Sequence, residues 1–585
     1  MKQAPICCAF FTMLGLVLAV LVNPGNLHAQ LQGGSIGDTN VRLYTLQGSM
    51  SLQTHAYSTT RSSSFRDPLG LLANVNLNYS FLGFRSGLNV RYSTEDPGIR
   101  QSMNRYSFQA GWRWMNFSAG DVSPTFNRYS LRGTRVRGGL LEISGGTFGA
   151  QFVGGQVNRR IADAEGPSLR RQSYERMLYG GRVRMGRENA SHFAFGLVYA
   201  YDDNVPLPLP PGADESSFRQ PAPQENLTLS PDLNISMFRN RFQIRAENSV
   251  SVFTRDMRSE ALDLDEVGVP DFMTNFFRPR TSTKATFATN VNTRINIRPL
   301  TLNVGFERVQ PGYETLGLRN IKDDDQNISV QPQLSLLSGR LGLGSSLRIG
   351  RDNLLGQRAA TQHRNDYGLN VQAQLTQQLN LGASWNMLIN QVKVSNGDDE
   401  TAEINYPEQQ VISQNVSLQP SYSWMSGSNS HSVALSATWQ LLDVQIENVD
   451  RDLGSQFFTT TGSYNLSLGS GMNINTGLNY AGGSAPSSEF QVLGANIGLG
   501  RAFFDRKLNM NLTAGFSQSQ SETTAGEGVQ RQRQQQLNGN FTAMYRPRRS
   551  NTIRLTARNT NNFLLEGSGI GFRELEIRLS IDQRF

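Results

Sequence analysis

Cysteine is almost missing from this chain of 585 residues: there are two, Cys7 and Cys8, both at the front. They stand within an opening in which Lys2 precedes an apolar run from Ile6 to Val22, broken at Asn23-Pro24-Gly25 and followed by Leu27-His28-Ala29. That layout predicts a secretory signal over residues 1–29, removed before Gln30. The exported remainder then has no thiol, no disulfide and no sulfur-ligated metal. Long apolar runs are also missing. After residue 29 none approaches the roughly 20 residues that a membrane-spanning helix needs. Histidine is scarce too, with only His55, His192, His363 and His431 beyond the signal and none in a recognisable catalytic motif. The expectation is therefore a non-enzymatic protein with no cofactor.

Apolar residues make up only 38% of the chain and the mean hydropathy is −0.40. Such a composition would suit a disordered chain, but ordered alternation argues against that. Val75, Leu77, Tyr79 and Phe81 alternate with Asn74, Asn76, Asn78 and Ser80, and the pattern resumes after Leu82-Gly83 at Phe84, Leu88, Val90 and Tyr92. Period-2 alternation across a two-residue break is a β-hairpin. The same reading holds across Arg298-Pro299, Ser338-Gly339, Gln377-Gln378 and Gly469-Ser470-Gly471. Strands with apolar residues on one face and polar residues on the other, repeated through the whole chain, predict an all-β fold: a single large antiparallel transmembrane β-barrel. In a bilayer only a closed barrel satisfies every strand edge.

Short breaks alternate with longer polar connectors at 93–105, 157–176, 201–225, 254–283, 308–327, 350–366, 390–410, 481–489 and 517–536. Outer-membrane barrels show this asymmetry of short periplasmic turns and long external loops. Counting from a first strand near 41–53 to a last at 572–585 gives about 26 strands, within roughly 24–28. Residues 30–40 would be a short periplasmic lead, and 41–585 the barrel. In the last strand Ile577, Leu579, Ile581 and Phe585 share the apolar face, a C-terminal pattern that the barrel-assembly machinery would read. Trp112, Trp114, Trp385, Trp424 and Trp439 all take lipid-facing parity, as an interfacial aromatic girdle requires.

Lysine is the other deficit. Of 55 basic residues only Lys2, Lys284, Lys322, Lys393 and Lys507 are lysine, which leaves 55 − 5 = 50 arginines and a net charge of +8. Arg91, Arg113, Arg182, Arg184 and Arg245 alternate with apolar neighbours and so point to the lumen. Arg294, Arg298, Arg554, Arg558 and Arg578 do the same, beside acids such as Glu247 and Glu307. Inward arginines can brace a lumen through carboxylates or hold a positive field that favours anions. The positive charge also suits contact with lipid and lipopolysaccharide phosphates, whereas the clustered basic or aromatic platform of a nucleic-acid binder is missing. Two acidic triplets, Asp323-Asp324-Asp325 and Asp398-Asp399-Glu400, lack the spacing of a calcium loop and read as solvated loop tips.

A barrel this wide must be gated or filled, because 22-stranded transporters already carry a plug. The candidate lids are the Pro-rich connector 204–223 and the connector 254–283. Gly120-Asp121-Val122-Ser123-Pro124-Thr125-Phe126, followed by Leu131-Arg132-Gly133-Thr134-Arg135-Val136-Arg137-Gly138, resembles the Gly-Asp…Phe…Leu-Arg-Gly pattern of barrels related to fimbrial ushers. With Tyr179-Gly180-Gly181-Arg182 and Phe306-Glu307-Arg308-Val309-Gln310-Pro311-Gly312-Tyr313, the texture also resembles large outer-membrane barrels of Gram-negative, Bacteroidota-like bacteria. The resemblance implies a wide outer-membrane pore. The usher's cysteine pair is absent, so pilus assembly is not implied. The sequence therefore predicts an outer-membrane conduit, a gated porin-like channel or the pore of an export system. The alternative is a docking barrel whose loops or lumen bind a partner protein, a lipoprotein or a surface glycan.

Overall fold

The computed structural model describes residues 44–61, 67–94, 104–161, 172–188, 190–208, 221–262, 277–394, 407–449, 453–525 and 528–584. The expected signal (1–29), the lead segment (30–40), Phe585 and the triplet 398–400 lie outside them, as do the tips 209–220 and 263–276 of the two proposed lids. The first half of the chain forms β1 (Tyr44–Thr59), β2 (Leu69–Phe81), β3 (Phe84–Ser93), β4 (Arg105–Trp112), β5 (Met115–Val122), β6 (Val136–Gly145), β7 (Phe148–Asn158), β8 (Arg176–Gly186), β9 (His192–Asp202), β10 (Glu225–Met237), β11 (Phe242–Thr254), β12 (Thr283–Ile297) and β13 (Leu300–Val309). The second half forms β14 (Asp325–Leu336), β15 (Leu341–Arg351), β16 (Ala360–Gln374), β17 (Leu379–Val394), β18 (Gln409–Ser426), β19 (Asn429–Ile446), β20 (Ser455–Ser467), β21 (Met472–Ala485), β22 (Ser488–Phe503), β23 (Leu508–Ala525), β24 (Gly528–Arg548), β25 (Asn551–Glu566) and β26 (Phe572–Arg584).

Each strand pairs antiparallel with its sequence neighbours, and β1 pairs with β26 from Ser49↔Arg584 to Thr59↔Glu574. The sheet is thus a closed 26-stranded transmembrane β-barrel with no free edge, the solution a bilayer demands of β-structure. Among the described residues no helix is long and apolar enough to cross a membrane. The alternation fixes the two surfaces. On β9 the side chains of Phe193, Phe195 and Leu197 are exposed, while Ala194, Val198 and Ala200 at the alternate positions are fully buried. The first set belongs to the lipid face and the second to an inner face with something packed on it.

The wall is uneven in height. Strands β4 to β9 have 8–11 residues, close to the 9–11 that cross a bilayer, whereas β18, β19 and β23 have 18 and β24 has 21. The connectors expected at 481–489 and 517–536 are therefore mostly strand, with β21 and β22 joined by a turn at 486–487 and β23 and β24 separated only by 526–527. Gln530 to Gln536 contain only Gln and Arg, and a strand standing in water on both faces needs no apolar alternation to be stable in a ladder. Periodicity in hydropathy vanishes there although the β pairing continues.

Close to the inner side, the short strands bend where glycine permits. Gly120 in β5 has φ +96°, and a Cβ there would lie 2.0 Å from the carbonyl oxygen of Tyr106 on β4. Both the left-handed backbone and the approach exclude a side chain. Gly120→Val is expected to destabilise the barrel by about 1–3 kcal/mol, read as a lower urea midpoint for the loss of the heat-modifiable gel band. An unchanged midpoint would show that the bend relaxes freely.

Candidate functional site: the lumen and its one-sided lining

Two connections leave the wall and turn inward. One is 123–135, between β5 and β6, which carries the Ser-Pro-Thr-Phe and Leu-Arg-Gly motif; the other is 310–324, between β13 and β14. Phe126, Leu131 and Leu316 pack with Val122, Val136, Leu140, Val153, Leu178, Val198, Ala200 and Phe253 in one buried cluster. Tyr129 and Tyr313 join Ala288 and Val309 in a second. Glycines on the wall make the room. A Cβ at Gly180 of β8 would sit 2.9 Å from the Phe126 ring.

Polar ties complete the attachment. Asn226 of β10, fully buried, accepts from the hydroxyls of Thr228 and Thr315 at 3.0 Å each and from the Leu316 N–H at 3.1 Å, and it donates to Ser251 Oγ at 2.7 Å and Val252 O at 3.0 Å. Asn127 donates to Asp232 of β10 and accepts from the Tyr129 N–H at 2.6 Å. Tyr129 donates to Glu307 of β13 at 2.7 Å, and Arg128 pairs with the same carboxylate at 3.0 Å. Burial, reinforced by Glu307, pushes the Tyr129 phenol well above its ordinary value, so it stays a neutral donor. The two inward segments also hold each other. Tyr313 Oη donates to the Tyr129 carbonyl at 2.8 Å and Thr134 Oγ1 to the Gly317 carbonyl at 2.7 Å.

Of the three stretches singled out by resemblance, 120–138 and 306–313 contribute to the two segments that meet in the lumen, while 179–182 lies in the wall strand β8. The connector 308–327, expected as an external loop, turns inward because its Tyr313, Leu316 and Ile321 find an apolar inner wall. Asn226, Asn127, Tyr129 and Tyr313 were not legible as site residues. The only signal was apolar residues at inward parity on β6 to β9, where most of the chain places Asn, Ser and Arg. Asp324, expected to be solvated, has a side chain only 1% exposed; it accepts from the Leu354 N–H at 2.8 Å and pairs with Arg358 at 3.0 Å. Asp325 pairs with Lys322 at 2.9 Å and with Arg364, and Asp323 accepts from the Gly312 N–H at 2.6 Å. The triplet therefore anchors a loop base. Among the described residues no group of three or more His, Cys, Asp or Glu is arranged to hold a metal.

The ladder register places the arginines in different settings. Arg182 lies 3.7 Å from Asp232, and Arg184, 7% exposed, donates to the Gly186 carbonyl; both are built into the wall beneath the lining. Arg91 of β3 stands opposite Asn74, and Arg294 of β12 opposite Gln243 and Asn303. Arg245 pairs with Glu247 at 3.2 Å but stays 62% exposed, a contact worth at most about 1 kcal/mol. Arg554 and Arg558 of β25 are exposed; beside them Arg578 of β26 donates to Glu576 at 2.7 Å. These four, with Gln53, line a cavity of about 200 Å³ on the inner wall. Arg113 and Arg298 sit instead in tight turns, Arg113 with φ 53° and Arg298 before a cis proline, so they belong to the rim.

Trp114 shares the turn with Arg113, next to Trp112, and both rings are exposed. Trp385 of β17 and Trp439 of β19 flank Val416 of β18 in one row. Trp424, further along β18, stacks on His431 with centroids 4.9 Å apart, and His431 Nδ1 lies 2.9 Å from the Tyr464 hydroxyl. The eight residues from Val416 to Trp424 separate the two levels by about 26 Å along the strand. Ile577, Leu579 and Ile581 of β26 share the face turned toward Ala56, Thr54 and Leu52 of β1.

The covered part of the inner wall runs from β5 to β13. From β16 round to β26 the inner face of the described residues is mostly Asn, Gln, Ser, Thr, Arg and Gly, with scattered apolar side chains such as Leu388, Phe457 and Phe490, and it carries no buried apolar cluster. At about 4.8 Å between strands and a tilt near 40°, 26 strands close a ring roughly 50 Å across, and one packed layer is roughly 10 Å deep. The lining thickens one side of the lumen and leaves the other open among the described residues.

No protein-family model matches this chain, and no curated protein matches it either. Solved structures similar to it include Acinetobacter baumannii OccAB4, at 10% identity and a TM-score of 0.28, covering 68% of this chain and 99% of that one. The translocation pore of the P pilus usher PapC is 12% identical with a TM-score of 0.26, covering 92% and 98%. The FrpB iron transporter from Neisseria meningitidis is 9% identical with a TM-score of 0.36, covering 92% of this chain and 81% of that one.

Proposed function

We propose that this chain is a conduit of a bacterial outer membrane, with tight turns toward the periplasm and long connections outside, and that polar solutes pass beside the lining with anions favoured. The carrying observation is the uncovered inner wall, where Arg554 and Arg558 stand exposed beside Gln53, Thr556 and Ser580. Arginine keeps its charge at any physiological pH, so the field on that wall is permanent. The wall-bound Arg182 and Arg184 serve a bracing role, which divides the arginines between the two uses open to them. The two tryptophan levels act as anchors at the two membrane interfaces, and the apolar face of β26 offers the assembly machinery its recognition strand.

Single-channel recording of the refolded barrel in a planar bilayer with a salt gradient tests this reading. Anion-preferring openings are expected. The combined substitution Arg554→Gln, Arg558→Gln and Arg578→Gln is expected to lower the anion-to-cation permeability ratio roughly two- to five-fold, the scale of about 1 kcal/mol for salt-screened charges. A silent bilayer, or a ratio the triple variant leaves unchanged, overturns the proposal.

A further inference from the structure

At the tight-turn end of the inner wall lies a cavity of about 650 Å³, lined by residues of β1 to β7 and by none of either inward segment. It falls on two rows that the ladder register runs side by side across the strands. One row passes through Ser80, Arg85, Gly111, Asn116, Glu142 and Gln151, from β2 to β7; the other passes through Gln47, Asn78, Gly87 and Gln109, from β1 to β4. The two glycines make a dent on adjacent strands. A Cβ at Gly87 would lie 3.1 Å from the amide oxygen of Asn78, and one at Gly111 the same distance from that of Asn116, so these amides lean over bare backbone. Glu142 orients the far side of the dent: it accepts from Asn116 Nδ2 at 3.1 Å and from Gln151 Nε2 at 2.9 Å. Gln47, Asn78 and Gln109 are exposed to the lumen. Among the described lining residues Arg85 and Arg113 are matched in number by Glu142 and Glu188, which is not the chemistry of a site for a single ion. An amide sets a donor and an acceptor side by side, the complement of two neighbouring hydroxyls that each donate and accept. Trp114, in the turn before Asn116, also belongs to the lining and supplies a flat apolar surface of the kind on which a sugar ring rests its C–H face.

We propose that this dent is a binding site for a neutral oligosaccharide laid across β2 to β5, with its rings over Gly87 and Gly111 and its hydroxyls on Asn78, Gln109 and Asn116. The volume lies within the roughly 300–1,000 Å³ of small-molecule sites and leaves room for more than one sugar ring. Preformed amides, held over glycine or clamped by Glu142, lose little freedom when the ligand arrives. The site goes beyond the conduit reading and does not depend on it, since a barrel that carries no current can still bind a sugar on its inner wall.

Calorimetry on the refolded barrel in a zwitterionic detergent, which has no sugar headgroup to compete, tests the site with maltotriose, cellotriose and raffinose as separate probes. Saturable binding of at least one is expected. Gln109→Ala is expected to weaken it about five-fold or more, the scale of a lost hydrogen-bonded pair. Gly87→Gln, which fills the dent with the chemistry the wall already has, is expected to abolish it. The Gln109 side chain stands in lumen water, so its removal leaves the heat-modifiable band intact. Asn386→Ala removes an amide that leans over Gly368 in the same way on β17, half-way round the ring from β4, and is expected to leave the affinity unchanged. Saturable binding by a barrel that stays silent in the bilayer would keep the site and remove the conduit. Conduction with no saturable heat from any of the three probes would keep the conduit and overturn the site. Binding that Asn386→Ala weakens as much as Gln109→Ala does overturns it too, because the sugar would then belong to the amide wall at large.

Discussion

A barrel carrying Gly317→Val will fold and yet expose its lining to protease. The Cβ of any residue at 317 would lie 2.0 Å from the carbonyl oxygen of Ser130, so the two inward segments cannot keep their contact once a side chain is present. Backbone faces backbone there, and no flexible side chain can yield. The displaced segment loses Thr134 to Gly317 and Tyr313 to Tyr129 together, and with them the buried ties to Asn226. Each buried partner left unsatisfied costs about 1–3 kcal/mol, enough to free the segment but not to open the ladders of β5 to β14. Trypsin is expected to cut at Arg132, Arg135 and Arg319 at least ten-fold faster than in the parent, while the unheated gel band keeps the mobility of the folded barrel. Equal cleavage rates would show that the two segments are held independently.

The second large effect is on current. Replacing 124–134 by a short Gly-Ser linker removes Phe126, Tyr129 and Leu131 from the lumen, and with them the surface on which 310–324 rests. A layer roughly 10 Å deep is then lost from one side of the channel, and single-channel conductance is expected to rise about two-fold or more. The exposed inner residues Leu178, Val198 and Phe253 make this variant less stable, so its heat-modifiable band serves as the control for folding. An unchanged conductance in a folded variant would place the constriction elsewhere.

Much of the architecture was legible because a lipid-facing strand must alternate. The hairpins across Leu82-Gly83, Arg298-Pro299 and Gly469-Ser470-Gly471, and the total of 26 strands, follow from period-2 hydropathy and turn residues alone. Legibility ended where the alternation did. Gln530 to Gln536 of β24 contain only Gln and Arg, so they carry no hydropathy signal of the strand they form. The inward segments escaped for a related reason. Phe126, Leu131, Tyr313 and Leu316 are apolar residues in connections, and no periodicity distinguishes a connection that folds in from one that folds out. Glycines such as Gly180 on the wall and Gly317 in an inward segment are equally silent, since what they admit belongs to another part of the chain.

The β1–β26 seam bears on assembly order. Every other ladder joins strands adjacent in sequence, so hairpins can form one after another as the chain emerges, each closing a small loop. The seam joins residues as far apart as Ser49 and Arg584, and near its other end Tyr57 donates to Glu574 at 2.9 Å and Arg61 reaches the same carboxylate at 2.8 Å. It can be sealed only after everything between has been laid down. Until that moment the molecule is a wide sheet with two unguarded margins, each able to recruit a strand from another chain. Both margins therefore stay open to pairing until β26 arrives and closes the ring.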